Sequence, residues 1–298
     1  MAGPRIIVVV DDMELGRRGA EYVCSSLERA IAERGHAHLA LTGGSTAIIL
    51  YRAIATAPFR DRIDWRRVDL WWGDDRFVPF DHPDSNVLLA QETLLGTRQL
   101  GTQVLRGERH AEQPSAGSSS CGRSQGPGEE PEGIVVPVRN VHPFPIPEAE
   151  AEGTGPDGCA ARYGRELVAH LPLDDDGLPI FDLVLLGVGP DGHFLSCFPG
   201  SPLVDAPAPP VCAGVPAPTT ASPHVPRVTC SPRLTEIARD VLVMGSGPSK
   251  AAIMNAVLAG PRDPHRHPSQ IAARPGATWM LDAAAAADLP ETVRSQHS

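Results

Sequence analysis

Residues 181–200 read FDLVLLGVGPDGHFLSCFPG, an apolar run that breaks into a tight turn containing Asp191 and His193. Residues 181–189 are apolar almost throughout, which predicts a strand buried on both faces. Such strands are typical of parallel sheets whose faces are covered by helices. In those sheets ligands bind beyond the carboxyl ends of the strands, so the polar turn lies where a binding site is expected.

The same pattern recurs on both sides of this stretch. Further strands are predicted at 5–10, 38–41, 68–72, 227–230, 240–244 and 278–281. Helical patterns separate the strands at 17–34, 46–57, 85–95, 157–171 and 248–259. Ser85 suits the N-cap of its helix, and a last, Ala-rich helix is expected at 282–289. The alternation predicts an α/β fold, a mostly parallel sheet with helices on both faces.

One segment breaks the alternation. From residue 106 to 133 the chain is rich in Gly, Ser, Pro and Glu and almost free of large apolar side chains. Burial cannot offset the entropy of ordering it, so we expect a flexible insertion there. The proline-rich stretch 199–226 is expected to cross the surface. We therefore expect residues 1–298 to form a single domain that carries this insertion.

The composition argues against several classes of protein. Hydrophobic residues make up 42% and charged residues 21% of the chain, as in a soluble globular protein. The formal net charge of −10 argues against non-specific binding to nucleic acid or anionic membranes. No apolar run approaches the roughly 18 residues of a membrane span, and no secretory signal is predicted. The six cysteines form no C-x-x-C pair, so we expect reduced thiols and a cytoplasmic location.

The first candidate site is LALTGGST, residues 39–46, where a strand turns into a helix. Gly43 and Gly44 let backbone N–H groups approach an anion, and the helix N-terminus adds partial positive charge. Ser45 and Thr46 can donate further hydrogen bonds. These features suit a phosphate group, although neither glycine-rich nucleotide-binding pattern is present. An ordinary turn in which Ser45 caps the helix is the alternative.

The second candidate is WWGDDRFVPFDHPDSN, residues 71–86. Arg76 could pair with a phosphate or polarise a carbonyl, since a guanidinium suits oxygen anions. An Asp–Arg ion pair that only fixes the loop is equally compatible with the sequence. His82 and the aspartates raise the question of a metal, but their spacing matches no ligand pattern, and no metal site is predicted.

The third candidate is the turn GVGPDGH, residues 187–193. A histidine is the natural general base near neutral pH, and Asp191 could orient the His193 imidazole and stabilise its charged form. No Ser or Cys lies in a nucleophile-elbow context, and Cys197 fits a buried inert thiol better than a nucleophile. A structural loop that happens to contain a histidine is the alternative.

Two cations and two pairs of histidines complete the candidates. Arg227 opens a predicted strand. Lys250 lies in the first turn of a predicted helix, where it opposes the helix dipole and favours a nearby anion. A solvated surface lysine is the alternative. The histidines of HAH (36–38) and HRH (265–267) are expected at the surface.

In this order, five blocks of the chain resemble the 6-phosphogluconolactonase family. They are LALTGGSTAIILYRAI, VDLWWGDDRFVPFDHPDSN, FDLVLLGVGPDGHFLSCFPG, RVTCSPRLTEIARDVLVMGSGPSKAAIMNAVL and TWMLDAAAA. The likeness covers nearly all of the chain outside 106–133 and the two ends. G-x-G-x-D-G-H followed by S-x-F-P is the family's signature loop. The resemblance implies the fold shared with glucosamine-6-phosphate deaminases and related sugar-phosphate isomerases.

The resemblance also implies a reaction, hydrolysis of 6-phospho-D-glucono-1,5-lactone to 6-phosphogluconate in the oxidative pentose phosphate pathway. His193 would be the general base that activates water, Asp191 would orient it, and Arg76 would face the substrate. The 6-phosphate would be held by Gly43, Gly44, Ser45, Thr46, Arg227 and Lys250. No metal or organic cofactor is implied. The partner would be a small sugar-phosphate lactone, bound by a monomer or a weak homodimer.

Two departures from the family pattern and two alternative functions remain. Asp75 stands where family members often have Glu, and Phe194 is a bulky neighbour that could narrow the site around the histidine. An amino-sugar phosphate deaminase or isomerase of the same fold is one alternative, but its acid–base set is not recognised. A sugar-phosphate sensor without catalysis is the other, and an intact Asp191–His193 pair argues against it.

Overall fold

The computed structural model describes residues 3–95, 133–205 and 210–294. Its strands form a seven-stranded sheet, parallel at every pairing, and a three-stranded antiparallel sheet. The parallel sheet contains β1 (Arg5–Val9), β2 (Ala37–Leu41), β3 (Val68–Trp72), β5 (Val141–His142), β6 (Leu183–Leu186), β9 (Val241–Gly245) and β10 (Ala277–Asp282). The antiparallel sheet contains β4 (Asp74–Arg76), β7 (Cys212–Val215) and β8 (Arg227–Cys230).

Helices alternate with these strands and confirm the predicted α/β class. They are α1 (Asp12–Arg34), α2 (Ser45–Ile54), α3 (Phe59–Arg62), α4 (Asn86–Ala90), α5 (Ile146–Ala151), α6 (Gly155–His170), α7 (Pro232–Ile237), α8 (Ala251–Leu258) and α9 (Glu291–Arg294). α1 begins before the predicted residue 17 because the Asp11 carboxylate accepts a hydrogen bond from Glu14 N at 2.8 Å. It ends at Gly35, whose φ of 80° suits glycine.

The strand order of the parallel sheet is β1-β10-β9-β6-β2-β3-β5. The chain leaves β2 toward β3 on one side and leaves β6 toward β9 on the other. The connections therefore diverge between β2 and β6, and such a point opens a crevice beyond the carboxyl ends of the strands. The GGST turn follows β2 and the Asp191–His193 turn follows β6, so both predicted segments lie at this crevice.

The antiparallel sheet adds detail to the predictions and corrects one. Residues 227–230 are a strand as predicted, and they pair in the antiparallel sheet as β8; residues 74–76, predicted in a loop, form β4. The stretch 199–226, predicted to cross the surface, is mostly exposed or half-buried where it is described, and it contains the short strand β7. The strands have only three or four residues each, too few for an alternation of polar and apolar residues to identify them. Their pairing places Arg76 directly opposite Arg227.

The predicted Ala-rich helix at 282–289 is wrong. β10 extends to Asp282, and the residues after it form a series of turns. The Asp282 carboxylate accepts hydrogen bonds from Ala285 N at 2.7 Å and from Gly247 N at 2.9 Å, which ties these turns to a neighbouring loop. A segment this short does not form a helix on alanine propensity alone.

Two further helix predictions are correct in place but not in type. The Ser85 hydroxyl caps α4 as predicted, accepting from Val87 N at 3.1 Å, and the chain then forms a π-helical turn at Gln91–Leu95. The helix predicted at 248–259 consists of a 3-10 turn, Pro248–Lys250, followed by α8.

The described residues leave part of the prediction untested. Of the insertion at 106–133, only Gly133 is described. A single domain spanning residues 1–298 stays a prediction. Within the three described ranges, none of the helices combines the length and the apolar character needed to cross a membrane.

Candidate active site

A cavity of about 200 Å³ opens at the carboxyl edge of the parallel sheet, between the ends of β2 and β6. Its walls contain Gly43, Gly44, Ser45, Thr46, Arg76, His193, Arg227 and Lys250. These are all the predicted site residues except Asp191, which is bonded to His193. The walls also contain residues to which the sequence assigned no role, among them Asp74, Asn86, Ser196 and Phe198.

Asp191 holds the His193 imidazole by its Nδ1 atom. Asp191 Oδ1 lies 2.5 Å from His193 Nδ1 and also accepts a hydrogen bond from the His193 backbone N–H at 3.1 Å. Burial raises the pKa of Asp191, but the hydrogen bond and charge of His193 outweigh burial and bring that pKa below its ordinary value. A carboxylate on Nδ1 favours the tautomer protonated there, which leaves Nε2 free to accept a proton.

The residues around the imidazole explain why the turn contains glycine. A Cβ on Gly189 would overlap the ring of His193, so only glycine fits at that position. The Phe198 ring lies 4.7 Å from the imidazole, centroid to centroid. The expectation that Phe194 narrows the site is wrong, because Phe194 is buried in the core and is not among the cavity walls.

The GGST turn presents an uncapped helix N-terminus to the cavity. Gly44, with φ of 92°, is the N-cap residue of α2 and Ser45 is its first helical residue, so the alternative of a Ser45 cap is wrong. No side chain caps the backbone N–H groups of this first turn. Their partial positive charge is available to an anion at the cavity wall.

Arg76 and Arg227 face each other across the antiparallel sheet. Arg76 Nη1 donates to Asp84 O at 2.6 Å and Arg227 Nη2 donates to Pro223 O at 2.8 Å. Both Nε atoms are buried and have no hydrogen-bond partner within the described residues. Burial, followed by the charge of Arg76, lowers the pKa of Arg227. Two neighbouring guanidinium groups with unused donors favour a bound anion.

Lys250 lines the cavity and contacts the turn at 187–193 that contains His193. Its Nζ donates to Val188 O at 2.6 Å. Burial lowers the pKa of Lys250, and the charge of Asp191 opposes that shift. An ammonium group has three donors, so two remain for a ligand. The half-buried position contradicts the alternative of a solvated surface lysine.

Asp75 and Asn86 hold the backbone next to Arg76 in place. Asp75 is fully buried, and its Oδ1 accepts from Arg76 N at 2.7 Å and from Asn86 N at 2.8 Å. Burial raises the pKa of Asp75 to about 7 despite these hydrogen bonds. Asn86 Oδ1 lies where a Cβ of Gly43 would be, so Gly43 accommodates this side chain. The sequence D-S-N at 84–86 indicates a polar segment, but the contacts of Asn86 with Asp75 and Gly43 are seen only in the structure.

The remaining histidines that the structure describes do not form a metal site. Among the described residues, no group of three or more His, Cys, Asp or Glu side chains could hold a metal ion. His36 and His38 are predicted at the surface, but His38 is largely buried and lies 3.5 Å from Asp69. In the HRH segment, His265 pairs with Asp205 at 2.6 Å, whereas His267 packs against Gly192 behind the histidine turn.

A larger groove lies between α6 and β7. Its volume is about 580 Å³ and its walls are mostly small and apolar, with Asp157 and Arg165 as the charged exceptions. None of the predicted site residues lines it, and no histidine or lysine is among its described walls. Convergent polar groups rather than size identify a catalytic site, so the smaller cavity is the candidate.

The sequence matches a known protein family along most of its length. The family of glucosamine-6-phosphate isomerases/6-phosphogluconolactonase matches residues 10–124 and 131–280. The chain belongs to this family. A 6-phosphogluconolactonase of Streptomyces coelicolor is 32% identical over 293 residues, covering 97% of this chain and 96% of its own length. One of Synechocystis is 29% identical, covering 96% and 98%.

Solved structures show the same relationship. The 6-phosphogluconolactonase of Trypanosoma brucei superposes with a TM-score of 0.74 at 26% identity, over 96% of this chain and 99% of that chain. A monomeric glucosamine-6-phosphate deaminase reaches a TM-score of 0.69 at 15% identity, over 95% and 99%, which shows the fold alone. The family resemblance of the five sequence blocks is thereby confirmed, together with the fold it implies.

Proposed function

We propose that this enzyme hydrolyses 6-phospho-D-glucono-1,5-lactone to 6-phosphogluconate, a step of the oxidative pentose phosphate pathway. The observation that carries the proposal is that His193, held by Asp191, shares one small cavity with Arg76, Arg227 and Lys250. A base beside a cluster of cations suits an electrophile that carries a phosphate. The names of the relatives support the same substrate.

In the proposed reaction, His193 Nε2 takes a proton from a water molecule as the water oxygen attacks C1 of the lactone. The carbonyl oxygen becomes negatively charged in the tetrahedral intermediate, and Arg76 is the proposed group that stabilises it. The C1–O5 bond then breaks, and His193 returns the proton to O5, which becomes a hydroxyl group. Asp191 orients the imidazole and stabilises its protonated form.

The 6-phosphate is proposed to bind in the same cavity. The proposed ligands are the N–H and hydroxyl groups of Gly43, Gly44, Ser45 and Thr46 and the side chains of Arg227 and Lys250. Burial lowers the pKa values of Arg227 and Lys250, and a phosphate dianion between them would stabilise their charged forms. The mechanism requires no metal or organic cofactor, because a lactone is an activated ester whose leaving alkoxide stays tethered in the product.

The proposal includes the setting of the enzyme. We expect one domain that acts in the cytoplasm as a monomer or a weak homodimer. The six scattered cysteines, which form no C-x-x-C pair, support a cytoplasmic location. Light scattering of the purified protein across a range of concentrations tests the oligomeric state.

The experiment that tests the function measures lactone hydrolysis against the spontaneous rate in the same buffer. We expect the wild-type protein to accelerate hydrolysis of the 6-phosphorylated lactone far more than that of unphosphorylated glucono-1,5-lactone. The unphosphorylated lactone is the matched control, because it has the same ring and lacks only the proposed anchor. A phosphorylated lactone that disappears at the spontaneous rate would overturn the proposal.

A further inference from the structure

A strained turn separates His193 from Phe198, the aromatic ring beside it. Leu195 has a φ of 51°, and it is the sole non-glycine residue with positive φ in the described ranges. Such a backbone conformation persists only where the surrounding structure holds it. The turn is closed by a hydrogen bond from Cys197 N to Phe194 O at 3.0 Å. The turn therefore sets the position of Phe198 relative to His193.

Contacts from the antiparallel sheet hold the turn in place. The Ser196 hydroxyl donates to Asp74 Oδ2 at 2.6 Å, and Ser196 N donates to Thr229 Oγ1 at 3.3 Å. Leu195 packs against Gly73, where a Cβ would come within 2.7 Å of Leu195 Cδ2. Asp74 and Ser196 are 7% and 1% exposed, so their hydrogen bond is shielded from water.

We propose that Asp74 is a positioning residue for the hydrolysis, acting through Ser196 on the turn that directly follows His193. The inference rests on the proposed function. Its physical reason is that β4 carries both Asp74 and Arg76. One strand therefore sets the separation between His193 and Arg76. A displacement of about 1 Å in a reacting group can cost roughly a hundredfold in rate.

Asp74 and Ser196 also line the cavity, so a direct contact with substrate is the competing role. Three variants separate the two roles. Ser196→Ala removes the hydroxyl and keeps the carboxylate, Asp74→Ala removes the acceptor, and Asp74→Asn keeps an oxygen acceptor without the charge. The rates of hydrolysis are measured as kcat and KM, with the Tm of each variant as the check on folding.

We expect Ser196→Ala and Asp74→Ala each to lower kcat by about tenfold to a hundredfold while KM changes by less than about threefold. Asp74→Asn is expected to restore most of kcat. The double variant Asp74→Ala/Ser196→Ala is expected to be no slower than Asp74→Ala, because both changes remove one interaction.

Ser231→Ala is the matched control. Ser231 is also 1% exposed, and its hydroxyl caps α7 by accepting from Arg233 N at 3.2 Å, outside the cavity walls. This control is expected to lower Tm by a few degrees, about the cost of a lost cap, and to leave kcat unchanged. A positioning role requires that Ser196→Ala lowers kcat and that Ser231→Ala, with a similar loss of Tm, does not.

Three outcomes overturn the proposal. If Asp74→Asn is as slow as Asp74→Ala while Ser196→Ala keeps its kcat, Asp74 acts on the substrate directly. If Ser196→Ala loses no more kcat than Ser231→Ala, the turn does not need this bond. A wild-type protein that fails to accelerate hydrolysis overturns the proposed function and this inference together, whereas the first two outcomes leave the proposed function intact.

Discussion

A histidine–aspartate group lies at each end of the strands of the parallel sheet, one at the carboxyl ends (the carboxyl edge) and one at the amino ends (the amino edge). Beyond the carboxyl end of β6, Asp191 bonds His193. At the amino ends of β2 and β3, Asp69 is surrounded by histidines, with His36 Nε2 at 2.8 Å and His142 Nε2 at 3.2 Å. Considered as pairs of residues, the two groups offer the same chemistry.

Their surroundings differ. His193 opens onto a cavity whose other walls hold Arg76, Arg227 and Lys250. His142 instead stacks on Trp71, with ring centroids 4.0 Å apart, and no member of the Asp69 group lines that cavity. An imidazole bonded to a carboxylate therefore becomes a candidate base only where space and complementary charge for a substrate lie beside it.

The largest expected effect comes from removing one histidine from each group. His193→Ala is expected to lower kcat by about 10²- to 10⁴-fold, because no other group is proposed to take the proton from water. His36→Ala, the matched change at the amino edge, is expected to leave kcat within about twofold. Steady-state hydrolysis rates, corrected for the spontaneous reaction, provide the measurement. Comparable kcat values for His193→Ala and wild type would remove the general-base role.

The second prediction tests the cations that distinguish the two edges. Arg227→Ala is expected to raise KM for the phosphorylated lactone by about tenfold to a hundredfold, since a charge-assisted hydrogen bond is lost. The KM for unphosphorylated glucono-1,5-lactone should change far less. Arg239→Ala is the control, because Arg239 pairs with Asp182 at 3.3 Å near the amino edge. An equal rise for both lactones would place the phosphate elsewhere.

The fold and most of the site could be predicted because their signals are local in the sequence. The apolar run before Gly187 predicts β6, and parallel strands place the polar turns that follow them at one edge. The two turns and the cations Arg227 and Lys250 were each ambiguous alone. The structure brings them to one cavity, which a list of segments cannot do.

What could not be predicted depends on contacts between distant segments. Ser196 and Asp74 are 122 positions apart, and nothing in either segment indicates their hydrogen bond. β4 is three residues long and strongly charged, so its pairing with β8 has no periodic signal. In the Ala-rich stretch, the Asp282 carboxylate accepts hydrogen bonds from Gly247 N of a neighbouring loop and from Ala285 N, and the chain forms turns instead of the predicted helix.

The third prediction concerns Asp75, the buried acid next to Arg76. The folded pKa of Asp75 is raised by burial to about 7, above its ordinary 3.8. The stability contributed by this group is therefore complete below pH 3.8 and is lost as the pH rises through about 7. Asp75→Asn keeps an oxygen that can accept from Arg76 N and Asn86 N, so it is expected to gain about 2–5 °C in Tm relative to wild type between pH 5 and pH 8.

Thermal unfolding of both proteins across this pH range provides the measurement. A constant difference in Tm between pH 5 and pH 8 would show that Asp75 does not titrate there. Ser25→Ala, on the exposed side of α1, is a suitable control for the effect of pH on an unrelated substitution. Its difference from wild type is expected to stay constant.

The smallest expected effect belongs to the amino edge. Burial lowers the pKa of His38 below its ordinary 6.5, against the raising charges of Asp69 and Asp182; the charges of His36 and His142 lower it further. Below pH 6.5 the unfolded chain binds a proton at His38 that the folded chain resists, so the stability from this residue falls on acidification. His38→Gln removes the titration, and its Tm is expected to fall less than that of wild type between pH 7.5 and 5.5, by on the order of 1 °C.

This change should leave the rate of hydrolysis unaffected at each pH, because His38 is not among the residues that line the cavity. His38 would then affect the stability of the fold without affecting the reaction. Parallel Tm profiles for His38→Gln and wild type would contradict the first half of that distinction. A kcat for His38→Gln that departs from wild type at constant Tm would contradict the second, since it would couple the amino edge to the reaction.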